Sequence, residues 1–231
     1  MIKTNYAFVI AVLFFFLSCK PAEQKNHSSF SYKGRINYKL SSQQETFLDS
    51  IQRYAFYYFL GERNPENGLV KDRTASWSAS SIAAVGFAIP SYAIASERNW
   101  INRDSAAHYV NTILEFFLKS EQSDDTLATG YKGFYYHFLN MKTGKRDYNC
   151  ELSTIDTGLL IAGVIFARNY FNKDNDVELS IRAKADSLVN RLDWNFFIMK
   201  TNNQYNNSIC MGWTPEKGFH HMGWVGYNEA I

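Results

Sequence analysis

Phe47, Ile51, Tyr54, Ala55, Tyr58 and Phe59 recur at three- and four-residue steps, the spacing of side chains along one face of a helix. Gly61 and the turn Asn64–Pro65–Glu66–Asn67–Gly68 close that helix. From Trp77 to Ala95 the chain is rich in small residues and apolar almost all round, with Ala79, Ile82, Ala83, Ala84, Val85 and Phe87. This predicts a helix buried on most sides, and Pro90 within it predicts a kink or a break one residue earlier. Asn102 is a candidate cap for a third helix carrying Ala106, Val110, Ile113, Leu114, Phe117 and Leu118. The period then changes: Gly133 to Asn140 predicts a short strand, and Lys142–Thr143–Gly144–Lys145 a turn. Ser153 or Thr154 opens a fourth, strongly apolar helix with Ile155, Leu159, Leu160, Ile161, Val164, Ile165 and Phe166, and Val177 to Leu192 gives an amphipathic fifth. Residues 195–226 carry no period and are expected to be loop; Tyr227 onward has the pattern of a further helix.

Buried helices thus alternate with amphipathic ones, and the joining loops hold the polar and aromatic residues. The pattern predicts an all-α fold of helical hairpins closed into a toroid, with an inner ring buried on both sides, an outer ring facing water, and function on the loops at one end.

The N-terminus falls outside this pattern. Tyr6 to Leu17 is a nearly pure apolar run behind Lys3, short of the roughly 20 apolar residues that a membrane span needs. Phe16–Leu17–Ser18–Cys19 resembles a bacterial lipoprotein box, which makes residues 1–18 a signal peptide and Cys19 the lipidated first residue of the mature chain. An ordinary cleaved signal peptide that happens to contain a cysteine is the alternative. Residues 19–40 are polar and predict a flexible tether, with residues 41–231 left as the folded domain. The expected location is the bacterial cell envelope, lipid-anchored at the outer membrane and facing the periplasm or the cell surface.

With 46% hydrophobic and 16% aromatic residues, the chain can build a packed core. A formal net charge of +2, with both signs scattered, gives no basic stripe and so no nucleic-acid partner. Cys150 and Cys210 either form a disulfide or stay as buried thiols; spacing alone leaves both open. Neither lies in a CxxC pair, and the adjacent His220–His221 lack the spacing of a chelating helix pair, so no metal is expected; nothing resembles a P-loop or a dinucleotide fingerprint, and no organic cofactor is expected. His220 and His221 are assigned to polar substrate contacts or to structure.

Several blocks in order resemble a known family. They are Gly68–Leu69–Val70–Lys71–Asp72–Arg73, Ser81 to Phe87, Glu97–Arg98–Asn99–Trp100, Gly133 to Leu139, Glu151 to Thr157 and Gly226–Tyr227–Asn228–Glu229–Ala230. From about Leu48 on, the chain is similar to the glycoamylase-like proteins of glycoside hydrolase family 144, the endo-β-1,2-glucanase type. The resemblance implies an (α/α)6 toroid, an inverting cleavage of β-1,2-glucan or a similar β-glucan, and an oligo- or polysaccharide substrate. Family domains are longer than this chain, so its helices fill about the first half of such a ring, and the chain is expected to be truncated at its C-terminus. A glycan-binding lipoprotein that has lost catalysis is the alternative.

Inversion needs an acid to protonate the leaving oxygen and a base to activate water on the opposite face. Glu229 follows Trp224, Gly226 and Tyr227, where aromatic burial would raise its pKa, and it is the leading acid. An ordinary first-turn acid on a helix dipole is the other explanation. Glu151 and Asp156 are the further catalytic candidates. In a helical register their five-residue gap turns them apart, so they are not expected to act on the same atom. One is expected to reach the cleft while the other caps a helix or pairs with an arginine, and the base is expected either here or beyond Ile231. Asp72 and Arg73 either brace a loop as an ion pair or bind sugar hydroxyls. Trp77, Tyr136, Trp213, Trp224 and Tyr227 are candidate stacking platforms, and His137 and Asn228 candidate polar contacts to substrate.

Overall fold

The computed structural model describes residues 39–225, so Cys19, Tyr227, Asn228 and Glu229 lie outside the described residues. The helices are α1 (Ser42–Gly61), α2 (Ile82–Glu97), α3 (Arg103–Lys119), α4 (Thr154–Tyr170) and α5 (Asp176–Asn190). Four of them start where a short polar side chain can take up a free N–H of the first turn. Asn102 Oδ1 accepts from the Ser105 N–H at 2.7 Å, Ser153 Oγ from Asp156 at 3.2 Å, and Asn175 Oδ1 from Glu178 at 2.9 Å. Ser81 caps α2 in the same way, so that helix begins five residues after Trp77 rather than at it. The break expected at Pro90 does not occur, and α2 runs through to Glu97. Pro90 has no N–H for the carbonyl of Gly86, and that oxygen instead lies against Gly163 of α4.

Cross-helix contacts give the helix directions. Tyr92 Oη of α2 donates to the Phe59 carbonyl of α1, and Arg98 pairs with Asp49, so α1 and α2 are antiparallel. Gly86, near the start of α2, meets Leu159 and Gly163 in the first two-thirds of α4, while Tyr170 at the end of α4 reaches the Ala93 carbonyl and Glu97. Hence α2 and α4 are parallel. Arg103 pairs with Glu178, Lys184 donates to Asn111, and Arg191 donates to the Phe117 carbonyl, which makes α3 and α5 parallel too. The mainly apolar α2 and α4 thus lie side by side, with the amphipathic α3 and α5 paired behind them as the sequence pattern predicts. Among the described residues no helix is long and apolar enough to cross a membrane.

The all-α expectation needs amending, because short strands join the helices at one end. They are β1 (Ser80–Ser81), β2 (Gly130–Tyr131), β3 (Phe134–Tyr136), β4 (Phe138–Leu139), β5 (Leu152–Ser153), β6 (Ile209–Cys210), β7 (Gly212–Thr214), β8 (Gly218–Phe219) and β9 (Gly223–Trp224). An antiparallel sheet runs in the order β2-β3-β5-β7-β8, with β1 paired to β4 and β6 to β9. Residues 195–226, expected to be loop, therefore hold β6 to β9 and part of a 3-10 turn over Trp194–Phe197. Strands of two or three residues are too short for a period of two to be read.

The apolar stripe predicted on α1 is only partly covered. Phe56 is buried and Tyr58 and Phe59 pack on the core, whereas Phe47 and Tyr54 are 63% and 74% exposed.

Behind the core, the buried Glu178 accepts from Arg103 Nε at 2.8 Å, Arg103 Nη2 at 2.9 Å and the Lys173 N–H at 2.8 Å. The Arg103 hydrogen bond is the main reason its carboxyl is held down at about 2, against an ordinary 4.5. A depressed folded-state pKa gives stabilisation that is complete above the unfolded value and is lost as pH falls through the folded one. Glu178→Gln is therefore expected to cost about 2 kcal/mol at neutral pH. It should also flatten the acid limb of the stability curve between 4.5 and about 2. Urea midpoints measured across that window would check both effects, and parallel curves for the two proteins would rule out the ion pair as their source.

Candidate active site

The strands bring His137 against Glu151 and against Asp156 in the first turn of α4. His137 sits between β3 and β4, and its ring stacks on Phe138 with centroids 3.9 Å apart. Its backbone N–H donates to the Glu151 carbonyl at 3.0 Å, which sets Glu151 beside it just before β5. The Glu151 carboxylate then meets the imidazole, Oε1 lying 3.0 Å from Nδ1. On the other ring nitrogen, Nε2, Asp156 Oδ1 stands at 3.6 Å. Asp156 is fixed by Ser153, whose hydroxyl donates to Oδ2 at 2.5 Å.

This corrects the expectation that Glu151 and Asp156 point apart. The helical rotation behind that expectation does not apply, because Glu151 precedes the extended pair Leu152–Ser153 and only Asp156 lies in the helix. Both carboxylates reach one imidazole. Ligand-capable atoms of His137, Glu151 and Asp156 all lie within 4.8 Å of one another. That is closer than the roughly 6.5–9.5 Å gap which leaves room for an attacking water between an inverting acid and base. With a carboxylate at each ring nitrogen, the arrangement suits a doubly donating imidazolium better than a cation held at one open position.

Burial works against charge on both His137 and Glu151, but the contacts prevail. The Glu151 hydrogen bond and the charges of Asp156, Glu151 and Asp72 raise the pKa of His137. The same hydrogen bond, helped by the charges of His137 and His220, lowers that of Glu151. The pair is thus biased towards imidazolium and carboxylate.

Glu151 also lines a cavity of about 490 Å³ with Asn149, Thr214, Glu216, Lys217 and His220. That volume falls within the range of small-ligand sites.

The remaining candidates divide. Asp72 and Arg73 form the bracing ion pair, with Nη2 and Oδ2 2.5 Å apart, and the charge of Asp72 is felt at His137. Trp77 is 69% exposed, with Arg73 over its ring at 5.8 Å, and keeps an open face for stacking. Tyr136 does not: it is wholly buried under the Arg146 guanidinium, 4.7 Å from its ring centroid, and is a core residue rather than a platform. Trp213 is half-buried and packs on Tyr131 and Phe196. Trp224 is also half-buried; its indole N–H donates to Thr154 Oγ1 at 2.9 Å, and it borders a groove along α4. His220 is brought to the cavity and His221 is not. Cys150 and Cys210 are separate buried thiols.

Sequence reasoning misses Tyr148, Arg146 and Glu216. Tyr148 is half exposed, and its hydroxyl donates to the Trp77 carbonyl and accepts from the Ala79 N–H, both at 3.2 Å. Its signal is weak, a lone aromatic in an irregular segment. Arg146 and Glu216, 70 residues apart, give none.

No protein-family model matches the chain. Over 198 residues it is 26% identical to the exo β-1,2-glucooligosaccharide sophorohydrolase (non-reducing end) of Parabacteroides distasonis, an alignment covering 81% of this chain and 25% of that protein. The crystal structure of a β-1,2-glucanase from Parabacteroides distasonis matches with a TM-score of 0.64 at 24% identity, covering 78% of this chain and 25% of that one. An endo-β-1,2-glucanase from Chitinophaga pinensis, in complex with sophorotriose and glucose, matches with a TM-score of 0.69 at 19% identity over 84% and 46% of the two chains. Over the matched span, the chain shares the fold of these β-1,2-glucanases. The resemblance carried by its sequence blocks therefore holds, although the chain spans a quarter to under half of the length of these relatives.

Proposed function

We propose that this chain contributes to a glycoside hydrolase acting on β-1,2-linked glucan, and that its helices belong to an (α/α)6 toroid. The observation that carries the proposal is the convergence of Glu151 and Asp156 on His137 beside an open cavity, at the end of the helices where the exposed Trp77 also lies. Charged acceptors beside a flat aromatic face suit a pyranose, whose hydroxyls donate at the ring edge and whose C–H face stacks. The similarity to a sophorohydrolase and to β-1,2-glucanases supports the linkage.

In this scheme Glu151 stays ionised and accepts a hydrogen bond from a sugar hydroxyl or a bound water in the cavity. Asp156 holds the imidazole from its other edge. The proton for the leaving oxygen comes from Glu229, and cleavage proceeds with inversion. Cys19 is lipidated and tethers the chain at the cell envelope.

The test is reducing-end release from linear β-1,2-glucan, with starch and β-1,3-glucan as comparators. Selective release from β-1,2-glucan is expected. Equal release from all three would remove the linkage assignment, and silence on all three would sink the enzymatic proposal for this chain.

A further inference from the structure

We propose that Arg146 is a positioning residue: together with Glu216 it holds the 147–151 loop in a strained conformation that keeps Glu151 against His137 and Tyr148 on the rim of the cleft. This proposal rests on the functional reading above and deepens it.

The Arg146 side chain is almost wholly enclosed, at 2% exposure. Its Nε donates to the Cys150 carbonyl at 2.6 Å and Nη2 to the Asn149 carbonyl at 3.0 Å. Its outer edge forms a fork to Glu216, Nη1 to Oε1 at 2.7 Å and Nη2 to Oε2 at 3.2 Å, while Tyr136 supports the guanidinium from one face. One planar cation thus fixes two successive carbonyls immediately before Glu151, and a lysine, with a single point charge, cannot span them.

The loop needs such a hold. Tyr148 and Asn149 have φ values of 53° and 48°, two consecutive non-glycine residues in the left-handed region. This conformation is tolerable for Asn but unfavourable for Tyr, and it persists only where surrounding contacts over-determine it. The strained turn has two consequences at the site. It directs the Tyr148 hydroxyl to the Trp77 carbonyl, joining the loop that carries Asp72 to the loop that carries Glu151. It also places the Glu151 carbonyl on the His137 N–H and its carboxylate on Nδ1. Glu216 comes from the β7–β8 turn and lines the same cavity as Glu151, so the hold is built into the wall of the site.

The test compares the full chain with Arg146→Lys, which keeps the charge and loses the fork. Three quantities are read: folding by circular dichroism, the NMR titration of His137, and kcat and KM on linear β-1,2-glucan. The carboxylates facing His137 are Glu151, Asp156 and Asp72; this loop carries the first and touches the Asp72 loop through Tyr148, so both effects lower the midpoint when the loop is released. Arg146→Lys is expected to stay folded and to move the His137 midpoint down towards its ordinary 6.5. It is also expected to lower kcat by roughly 10- to 100-fold, with a smaller change in KM. Should Arg146→Lys not fold, Glu216→Ala loosens the same guanidinium from a half-exposed position, with the same expectations at smaller size. A folded variant whose His137 midpoint stays in place overturns the proposal, whatever the hydrolysis assay gives. A lowered midpoint with no glucan hydrolysis by either protein upholds the positioning role and counts against the functional reading.

Discussion

Changing Glu229 to Gln is expected to cut reducing-end release from linear β-1,2-glucan by roughly 10²–10⁴-fold, the usual share of a general acid, with glucan binding kept. The geometry of the other carboxylates leads to this expectation. A general acid must arrive protonated, yet Glu151 has its pKa lowered, the His137 contact outweighing burial. Asp156 already accepts from Ser153 and faces the second ring nitrogen. The two also stand too close together to flank an attacking water. Under the function proposed above, Glu151 and Asp156 act as fixed acceptors around His137, and the proton donor is a different group. Glu229 follows Trp224 and Tyr227 in the aromatic stretch where burial would raise a carboxyl's pKa. The variant should be followed by initial rates and by calorimetric binding of sophoro-oligosaccharides. Unchanged rates would remove Glu229 as the acid. Lost binding together with lost turnover would make it a substrate-holding residue instead.

The helices are legible in the sequence because their signals are local. Asn102 and Ser153 mark helix starts through hydrogen bonds that span only three residues. The apolar period of α4 separates it from the amphipathic α5 without any tertiary information. The site is legible only as a set of separate residues. Glu151 and Asp156 both stand out as candidates, but their meeting on His137 depends on the pairing of β3 with β5, where Tyr136 lies opposite Leu152. No helical or strand period spans that junction. Tyr136 reads as a stacking platform for a related reason: the side chain that buries it, Arg146, is itself neutralised by Glu216, and that pairing has no sequence signature. Pro90 shows how tertiary contacts override a local rule. The carbonyl it leaves without an N–H lies against the bare Cα of Gly163, where close approach of two helices can satisfy it in part through a C–H contact.

That approach carries the largest expected effect on stability. A Cβ added at Gly163 would lie 2.3 Å from the Gly86 carbonyl oxygen, and one at Gly86 would lie 2.6 Å from the Leu159 oxygen. The obstruction on each side is helical backbone, so a side chain there can be accommodated only by driving α2 and α4 apart. Gly163→Leu is accordingly expected to destabilise the protein by about 3 kcal/mol, lowering the melting temperature by roughly 6–12 °C. Intrinsic helix propensity argues for the opposite sign, since glycine in a helix costs about 1 kcal/mol relative to alanine. Gly158, in the same helix, separates the two effects: nothing lies within 4 Å of its added Cβ. Gly158→Ala should therefore raise stability by up to about 1 kcal/mol while Gly163→Leu lowers it. If both variants melted above the parent protein, helix propensity would outweigh packing and the close contact between α2 and α4 would be wrong. The opposed signs carry a consequence for the site. Ser81 and Ser153 cap these two helices beside the strands that hold His137 and Glu151, so separating the helices should also weaken the His137–Glu151 contact. A His137 midpoint that falls in Gly163→Leu but not in Gly158→Ala would show that the glycine contact holds the site in register as well as the core.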